Sequence, residues 1–250
     1  MTKEELINGI KKGNPRSLSK AITFAESSIE AKQEIALQII EYFGAKEDTL
    51  RIGITGAPGV GKSTFIESVG VNLLKDPTKK VAVLSIDPSS EISQGSILGD
   101  KTRMNKLSSM SAAYIRPSSS GNNLGGVSKN TRLAVLLCEA AGYNTILIES
   151  VGVGQNETEI AKLSDLFVLL ISPGGGDELQ GIKRGIMEVA DIVVVNKADG
   201  NNKNQATITA KEYSMALHLK PKNENNWVPK VIVASAQEKQ GIQPFIEKCT

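Results

Sequence analysis

Hydrophobic positions recur every three or four residues over the first 43 residues of the chain, then change to short unbroken runs. Leu6, Ile7 and Ile10 form one apolar stripe. Leu18, Ala21, Ile22, Ala25 and Ile29 form a second, and Ile35, Ala36, Ile39, Ile40 and Phe43 a third. That period is the helical one, and the punctuation agrees with it. Thr2 followed by Glu5 is a capping box, Asn14-Pro15 sets a cap before a proline at the first helical position, and Gly44 closes the third stripe. The spacing predicts an N-terminal helical extension over residues 1–49, packed as a cap on the main domain.

From Leu50 onward short apolar runs alternate with helical stretches. Strands are expected at Leu50–Thr55, Val81–Ile86, Ala112–Arg116, Thr145–Glu149, Leu166–Ser172, Ile192–Asn196 and Val231–Ser235. Helices between them include Lys62–Leu74, Ser128–Ala141 and Gln205–Leu219. Unbroken Val/Ile/Leu runs suit strands buried on both faces, and the alternation implies an α/β domain over residues 50–250, a mostly parallel sheet flanked by helices.

Candidate chemistry starts at the end of the first of these strands. Gly56-Ala57-Pro58-Gly59-Val60-Gly61-Lys62-Ser63 is a G-x-x-x-x-G-K-S phosphate loop, followed by Thr64 and standing between an expected strand and an expected helix. Its glycines let successive backbone N–H groups converge on an anion, and the helix N-terminus adds positive potential. Lys62 would reach the β- and γ-phosphates, and the Ser63 hydroxyl would ligate Mg²⁺. Asn196-Lys197-Ala198-Asp199, after the run Asp191–Val195, has the N-K-x-D form that reads guanine. The Asp199 carboxylate can accept the N1–H and N2–H₂ donors that adenine lacks, and a site built on that pairing rejects the wrong base strongly. The Lys197 stem would lie along the purine, Asn196 would brace neighbouring loops, and Ser235-Ala236 fits the loop whose amide meets guanine O6. These signals select GTP over ATP.

Three carboxylates are candidates for the metal: Asp87, Glu149 and Asp100. A carboxylate at a strand end beside the phosphates can hold Mg²⁺ directly or through water, although an aspartate before proline, as in Asp87-Pro88, also simply starts turns. Gly152 can give an N–H to the γ-phosphate, and Gln155 is the candidate for orienting the attacking water. Gly174-Gly175-Gly176 offers a backbone hinge, with Asp177, Glu178, Lys183 and Arg184 as charges able to pair differently in two loop states.

Composition narrows the class. Lys and Arg total 29 against 27 Asp and Glu, a net charge of +2, and aromatics are 4% of residues. That excludes the basic excess and stacking platform of a nucleic-acid binder. The two cysteines, Cys138 and Cys249, make neither a disulfide framework nor a thiolate metal site; Cys138 reads as a buried small hydrophobe. The longest apolar run, Leu166–Ile171, cannot cross a bilayer, and the start of the chain carries no apolar secretory core. A reduced, cytoplasmic chain with no membrane partner is expected.

The motifs together resemble the MeaB/ArgK family of G proteins. GAPGVGKST (56–64), DPSS (87–90), GSILGDKTRM (95–104), YIRPSSSGNNLGG (114–126), LCEAAGY (137–143), ESVGVGQNE (149–157), PGGGDELQGIKRGIMEVAD (173–191) and NKADG (196–200) carry the likeness. It implies a P-loop NTPase of the SIMIBI type binding GTP or GDP with Mg²⁺. It also implies a GTPase that acts as chaperone for an adenosylcobalamin-dependent acyl-CoA mutase, typically methylmalonyl-CoA mutase, gating cofactor loading and protection. By position, Asp87 and Asp100 fall in switch I, Glu149–Gln155 in switch II, and Gly174–Lys183 in an additional switch III that answers to the mutase. A homodimer is implied as well, but family members build it with a long helical arm beyond the strand–helix unit, and the sequence ends at Lys248-Cys249-Thr250. Two alternatives stand beside this: a metallochaperone GTPase, disfavoured by one His and two distant Cys, and a nucleotide-dependent kinase or ATPase of an amino-acid transport system, disfavoured by the N-K-x-D element.

Overall fold

A computed structural model describes residues 1–44, 46, 48–87, 104–119, 124–150, 157–174, 184–218 and 227–249. Three helices open the chain: α1 (Lys3–Lys11), α2 (Pro15–Ala25) and α3 (Glu30–Phe43). Their caps are those the sequence prescribes. Thr2 and Glu5 exchange the two hydrogen bonds of a capping box, Asn14 accepts from the Arg16 amide with Pro15 at the first turn, and Gly44 ends α3 at φ +68°. Ile29 departs from expectation: it lies outside α2, precedes α3 and is 51% exposed. The chain breaks helix at Glu26–Ser28, so the fifth position of the second stripe is carried off the buried face.

The rest alternates strand and helix: β1 (Leu50–Gly56), α4 (Lys62–Leu73), β2 (Val81–Asp87), α5 (Asn105–Ser108), β3 (Ala113–Ser119), α6 (Leu124–Ala140), β4 (Thr145–Ser150), α7 (Glu157–Leu163), β5 (Leu166–Ile171), α8 (Arg184–Val189), β6 (Ile192–Val195), a 3₁₀ turn at Gly200–Asn202, α9 (Lys203–His218), β7 (Lys230–Val233) and α10 (Ile242–Cys249). The strands form one sheet in the order β3-β2-β4-β1-β5-β6-β7, every pairing parallel. Strand ends differ from the sequence reading by at most two residues except in β3, which runs to Ser119 rather than to the expected Arg116. Pro117, which donates no ladder hydrogen bond, is tolerated because β3 is an edge strand.

Alternate residues of the strands feed opposite faces. On one face Val81, Val83, Leu147, Ile52, Ile54, Val168 and Ile192 pack with Phe65, Ile66 and Val69 of α4 and Phe245 of α10. Phe65 and Phe245 meet edge to face at 5.0 Å, each fully buried and worth about 1.5–3 kcal/mol in apolar transfer. On the other face Ala82, Leu84, Ile146 and Ile148 pack with Leu137 and Cys138 of α6 and with the N-terminal helices. Those helices are also held to the edge strand: Arg116 pairs with Glu26 at 2.6 Å and the Tyr114 hydroxyl meets Ser19 Oγ at 2.9 Å.

This order explains the location of the site. From β1 the chain crosses to β2 and β3, returns through β4 between β2 and β1, and then steps outward through β5, β6 and β7. The carboxyl ends of β1, β4 and β5 therefore border the crevice where connections leave in opposite directions, the usual ligand position in open α/β sheets.

Candidate functional site

The loop 57–61 leaves β1 and turns directly into α4. Two glycines are required by geometry. Gly56, at φ +152°, lies so close to β5 that an added Cβ would be 2.4 Å from the Leu170 carbonyl oxygen. Gly61, at φ +90°, would place a Cβ 2.8 Å from Asn196 Nδ2. A left-handed residue at the helix entrance turns the amides of the loop toward the axis of α4, where its positive end lies.

Lys62, the first residue of α4, is 8% exposed, and its ammonium donates to the carbonyls of Gly56 at 2.8 Å and Ala57 at 3.2 Å. Burial holds its pKa below the usual lysine range, against the raising pull of Glu149 and Glu157. Ser63 Oγ donates to Glu149 Oε1 at 3.0 Å, and Ser85 Oγ donates to Glu149 Oε2 at 3.2 Å. Glu149 is 6% exposed. Its neighbours are set by register, Ser85 of β2 on one side and Ile54 of β1 on the other. One position further along, the Ser150 hydroxyl bonds Thr55 Oγ1 at 2.8 Å.

The second half of the site is joined to the first chiefly through the Asn196 side chain. Asn196, 1% exposed at the end of β6, donates from Nδ2 to the Val60 carbonyl at 2.9 Å and accepts at Oδ1 from the Ala236 amide at 3.1 Å. Ser68 of α4 adds a third tie, donating to the Ala236 carbonyl at 2.8 Å. Lys197 is held at φ +58°, uncommon for a residue with a side chain, because the backbone on both sides is fixed: Asn196 N donates to Ile171 O and Ala198 N to Ala234 O. Asp199 accepts from Ser235 Oγ at 2.6 Å, and that hydroxyl accepts from the Glu238 amide at 3.0 Å.

Of the residues expected from sequence, Gly56–Thr64, Glu149, Asn196, Lys197, Asp199, Ser235 and Ala236 lie in described segments at the carboxyl end of the sheet. Hydrogen bonds join Ser63 to Glu149, Asn196 to both Val60 and Ala236, and Asp199 to Ser235. Within the 235–236 loop, expected to offer an amide to guanine O6, the Ala236 amide donates to Asn196 Oδ1. Asp87 ends β2, with its side chain outside the described residues; Asp100, Gly152, Gln155 and the stretch 175–183 also lie outside them.

Sequence reasoning does not single out Ser85, Ser68 or Glu157. Ser85 carries a usable signal: it precedes Asp87 by two and so shares its face of the strand. Glu157, 4% exposed at the start of α7, is a buried carboxylate within electrostatic reach of Lys62. The pair Ser63 Oγ and Glu149 Oε1 supplies hard oxygen donors beside the phosphate loop, a set that fits Mg²⁺. Among the described residues no group of three or more His, Cys, Asp or Glu side chains could hold a metal, and no helix is long and apolar enough to cross a membrane.

Comparison with known proteins agrees with this geometry. The family model described as methylmalonyl-CoA mutase-associated GTPase MeaB matches residues 18–250. GTPase ArgK of Escherichia coli strain K12 is 47% identical over 245 residues, covering 96% of this chain and 73% of that protein. The mitochondrial methylmalonic aciduria type A homolog of Mus musculus is 47% identical over 250 residues, covering 96% of this chain and 60% of that protein. The crystal structure of an LAO/AO transport system kinase superposes with a TM-score of 0.82 at 39% identity, covering 99% of this chain and 73% of that one.

Proposed function

Because the chain belongs to the family of methylmalonyl-CoA mutase-associated GTPases called MeaB, we propose that it binds GTP with Mg²⁺ and uses the nucleotide state to chaperone an adenosylcobalamin-dependent acyl-CoA mutase. The Asn196 side chain carries the nucleotide half of this reading. It bonds the phosphate loop at Val60 and the 235–236 loop at Ala236, so the parts that would grip phosphate and purine are mounted on one buried group.

In this scheme the amides of Gly59 to Ser63 cradle the β-phosphate and the Lys62 ammonium exchanges its two carbonyl partners for phosphate oxygens. Ser63 and Glu149, with Asp87 and Asp100 as expected from sequence, would hold Mg²⁺, which supplies charge neutralisation when bound. Asp199 accepts from the guanine edge while Ser235 fixes its orientation. Lys197, in its left-handed backbone, lays its stem along the purine. Gly152 would offer an amide to the γ-phosphate and Gln155 would orient water. Hydrolysis then depends on positioning and on charge placed where the transition state needs it.

The mutase half rests on the family and on the name of the mouse relative, of which this chain covers 60%. Equilibrium titration with GTP, GDP and ATP, with and without magnesium, tests the first half: tight guanine-nucleotide binding with ATP at least about tenfold weaker is expected, and equal affinities refute it. Retention of a cobalamin-dependent mutase on the immobilised chain, compared in GTP and GDP, tests the second; indifference to both nucleotides refutes it.

A further inference from the structure

Phe65 and Ser68 are spaced i, i+3 and share one stripe of α4, the helix that begins with Lys62 and Ser63 of the phosphate loop. Phe65 meets Phe245 of α10 edge to face. One turn on, Ser68 Oγ donates to the carbonyl of Ala236, 168 positions away in the chain, at 2.8 Å. Serine inside a helix is a poorer choice than alanine and commonly turns its hydroxyl back onto the carbonyl one turn before. Here the hydroxyl crosses instead to the loop between β7 and α10. The stripe therefore grips that unit twice, by an aromatic contact on the helix and by a hydrogen bond on the loop.

The loop is closed on its own backbone. Ser235 and Gln240 exchange two backbone hydrogen bonds at 3.0 and 3.1 Å. The Glu238 amide donates to Ser235 Oγ, which itself donates to Asp199. At Ala236 the amide donates to Asn196 Oδ1 and the carbonyl accepts from Ser68. Both peptide groups flanking Ala236 are thus oriented by side chains from outside the loop. In a trans peptide the C=O and N–H point in opposite directions, so a carbonyl held toward α4 turns the Gln237 N–H away from that helix. The Gln237 amide has no hydrogen-bond partner among the described residues, and it lies in the same loop as the serine that holds Asp199.

We propose that Ser68 is a positioning residue for guanine recognition. By holding the Ala236 carbonyl it sets the tilt of the 236–237 peptide and so aims the Gln237 amide, the donor this loop offers to guanine O6. Ser68 itself touches no part of the nucleotide. The other edge of the base is read separately, because Asp199 is oriented by Ser235, whose backbone pairing with Gln240 does not pass through Ser68. The proposal rests on the GTP-binding reading above and adds a residue outside the phosphate-loop and N-K-x-D motifs.

Ser68→Ala removes the hydroxyl while favouring the helix, and Ser68→Thr keeps a hydroxyl and serves as the rescue. Affinities of GTP, ITP and ATP for the whole chain are measured in magnesium by displacement of a fluorescent GDP analogue. ITP keeps O6 and lacks the 2-amino group, whereas ATP carries an amino group in place of O6. Ser68→Ala should weaken GTP and ITP by a common factor of about five, the effect of losing one neutral hydrogen bond, with their ratio kept within about twofold. ATP should bind this variant no more weakly than it binds the unchanged chain. Ser68→Thr should stay within about twofold of the unchanged chain for GTP and ITP. Equal weakening of all three nucleotides, which a loosened helix or phosphate loop would give, overturns the proposal, as do unchanged GTP and ITP affinities. A shifted GTP-to-ITP ratio would place the effect at Asp199 and overturns it as well. If the unchanged chain itself does not prefer GTP to ATP, the guanine reading fails first, and the two failures are told apart.

Discussion

Replacing Gly61 by alanine tests whether Asn196 ties the phosphate loop to the base-reading loops. The substitution has two separable costs. At φ +90° an alanine carries the left-handed penalty of roughly 1–2 kcal/mol. Its methyl would also stand 2.8 Å from Asn196 Nδ2, forcing the amide out of its bonds to Val60 O and Ala236 N. Each bond is worth about 1 kcal/mol net, so Gly61→Ala should cost about 3–4 kcal/mol. Asn196→Ala alone should cost about 2 kcal/mol through the same two bonds. In the double variant the clash has no target, and only the backbone penalty is added. The double variant should thus be less destabilised than the sum of the singles by about 2 kcal/mol. Urea unfolding of the four proteins without nucleotide measures this directly, provided the slopes agree. Additivity within about 0.5 kcal/mol would show that the two loops are not coupled through Asn196.

Asp199→Asn should move base preference from guanine to xanthine nucleotides, whose altered edge matches the amide; unchanged GTP affinity removes the carboxylate from base recognition. Lys62 is held below the usual lysine range by burial, so between its native and ordinary values the unfolded chain binds the extra proton and folding stability rises with pH. An incoming triphosphate restores the charge, so nucleotide binding should take up protons in that window and weaken as pH rises through it. Calorimetry in two buffers of different ionisation enthalpy reads the uptake, and its absence would put Lys62 away from the phosphates. Arg116→Ala should cost about 3 kcal/mol by stranding Glu26, which is 5% exposed in the pair, while Arg116→Met with Glu26→Met should recover most of it in thermal melts.

Local signals are legible in the sequence and distant ones are not. The capping box at Thr2, the Asn14-Pro15 entry to α2 and the apolar runs of β4, β5 and β6 act within a few residues, so the sequence displays them whole. Ile29 misleads because a stripe drawn by spacing ignores where the chain stops being helical. The helix α5 is hidden since its cap comes from Glu67, 39 residues away. The phosphate loop and N-K-x-D element are contiguous motifs and stand out. Ser85 beside Glu149 depends on β2 lying next to β4, an adjacency created by the crossover and invisible to spacing along the chain.

The proposed ligand groups share one further property. Lys62 is bonded to two carbonyls, Ser63 to Glu149 and Asp199 to Ser235. Nucleotide binding on this scheme exchanges hydrogen bonds more than it adds them, and each exchange returns only the difference between two partners. The gain is greatest where the new partner carries more charge than the old, as when Lys62 passes from carbonyl to phosphate. It is smaller at Asp199, where the Ser235 hydroxyl and the guanine donors are alike neutral, so no partner gains charge. Affinity should therefore come chiefly from the phosphate end and selectivity from the guanine end. That division lets a γ-phosphate change the grip on the loops around Lys62 without releasing the purine, which a protein reporting its nucleotide state to a partner requires.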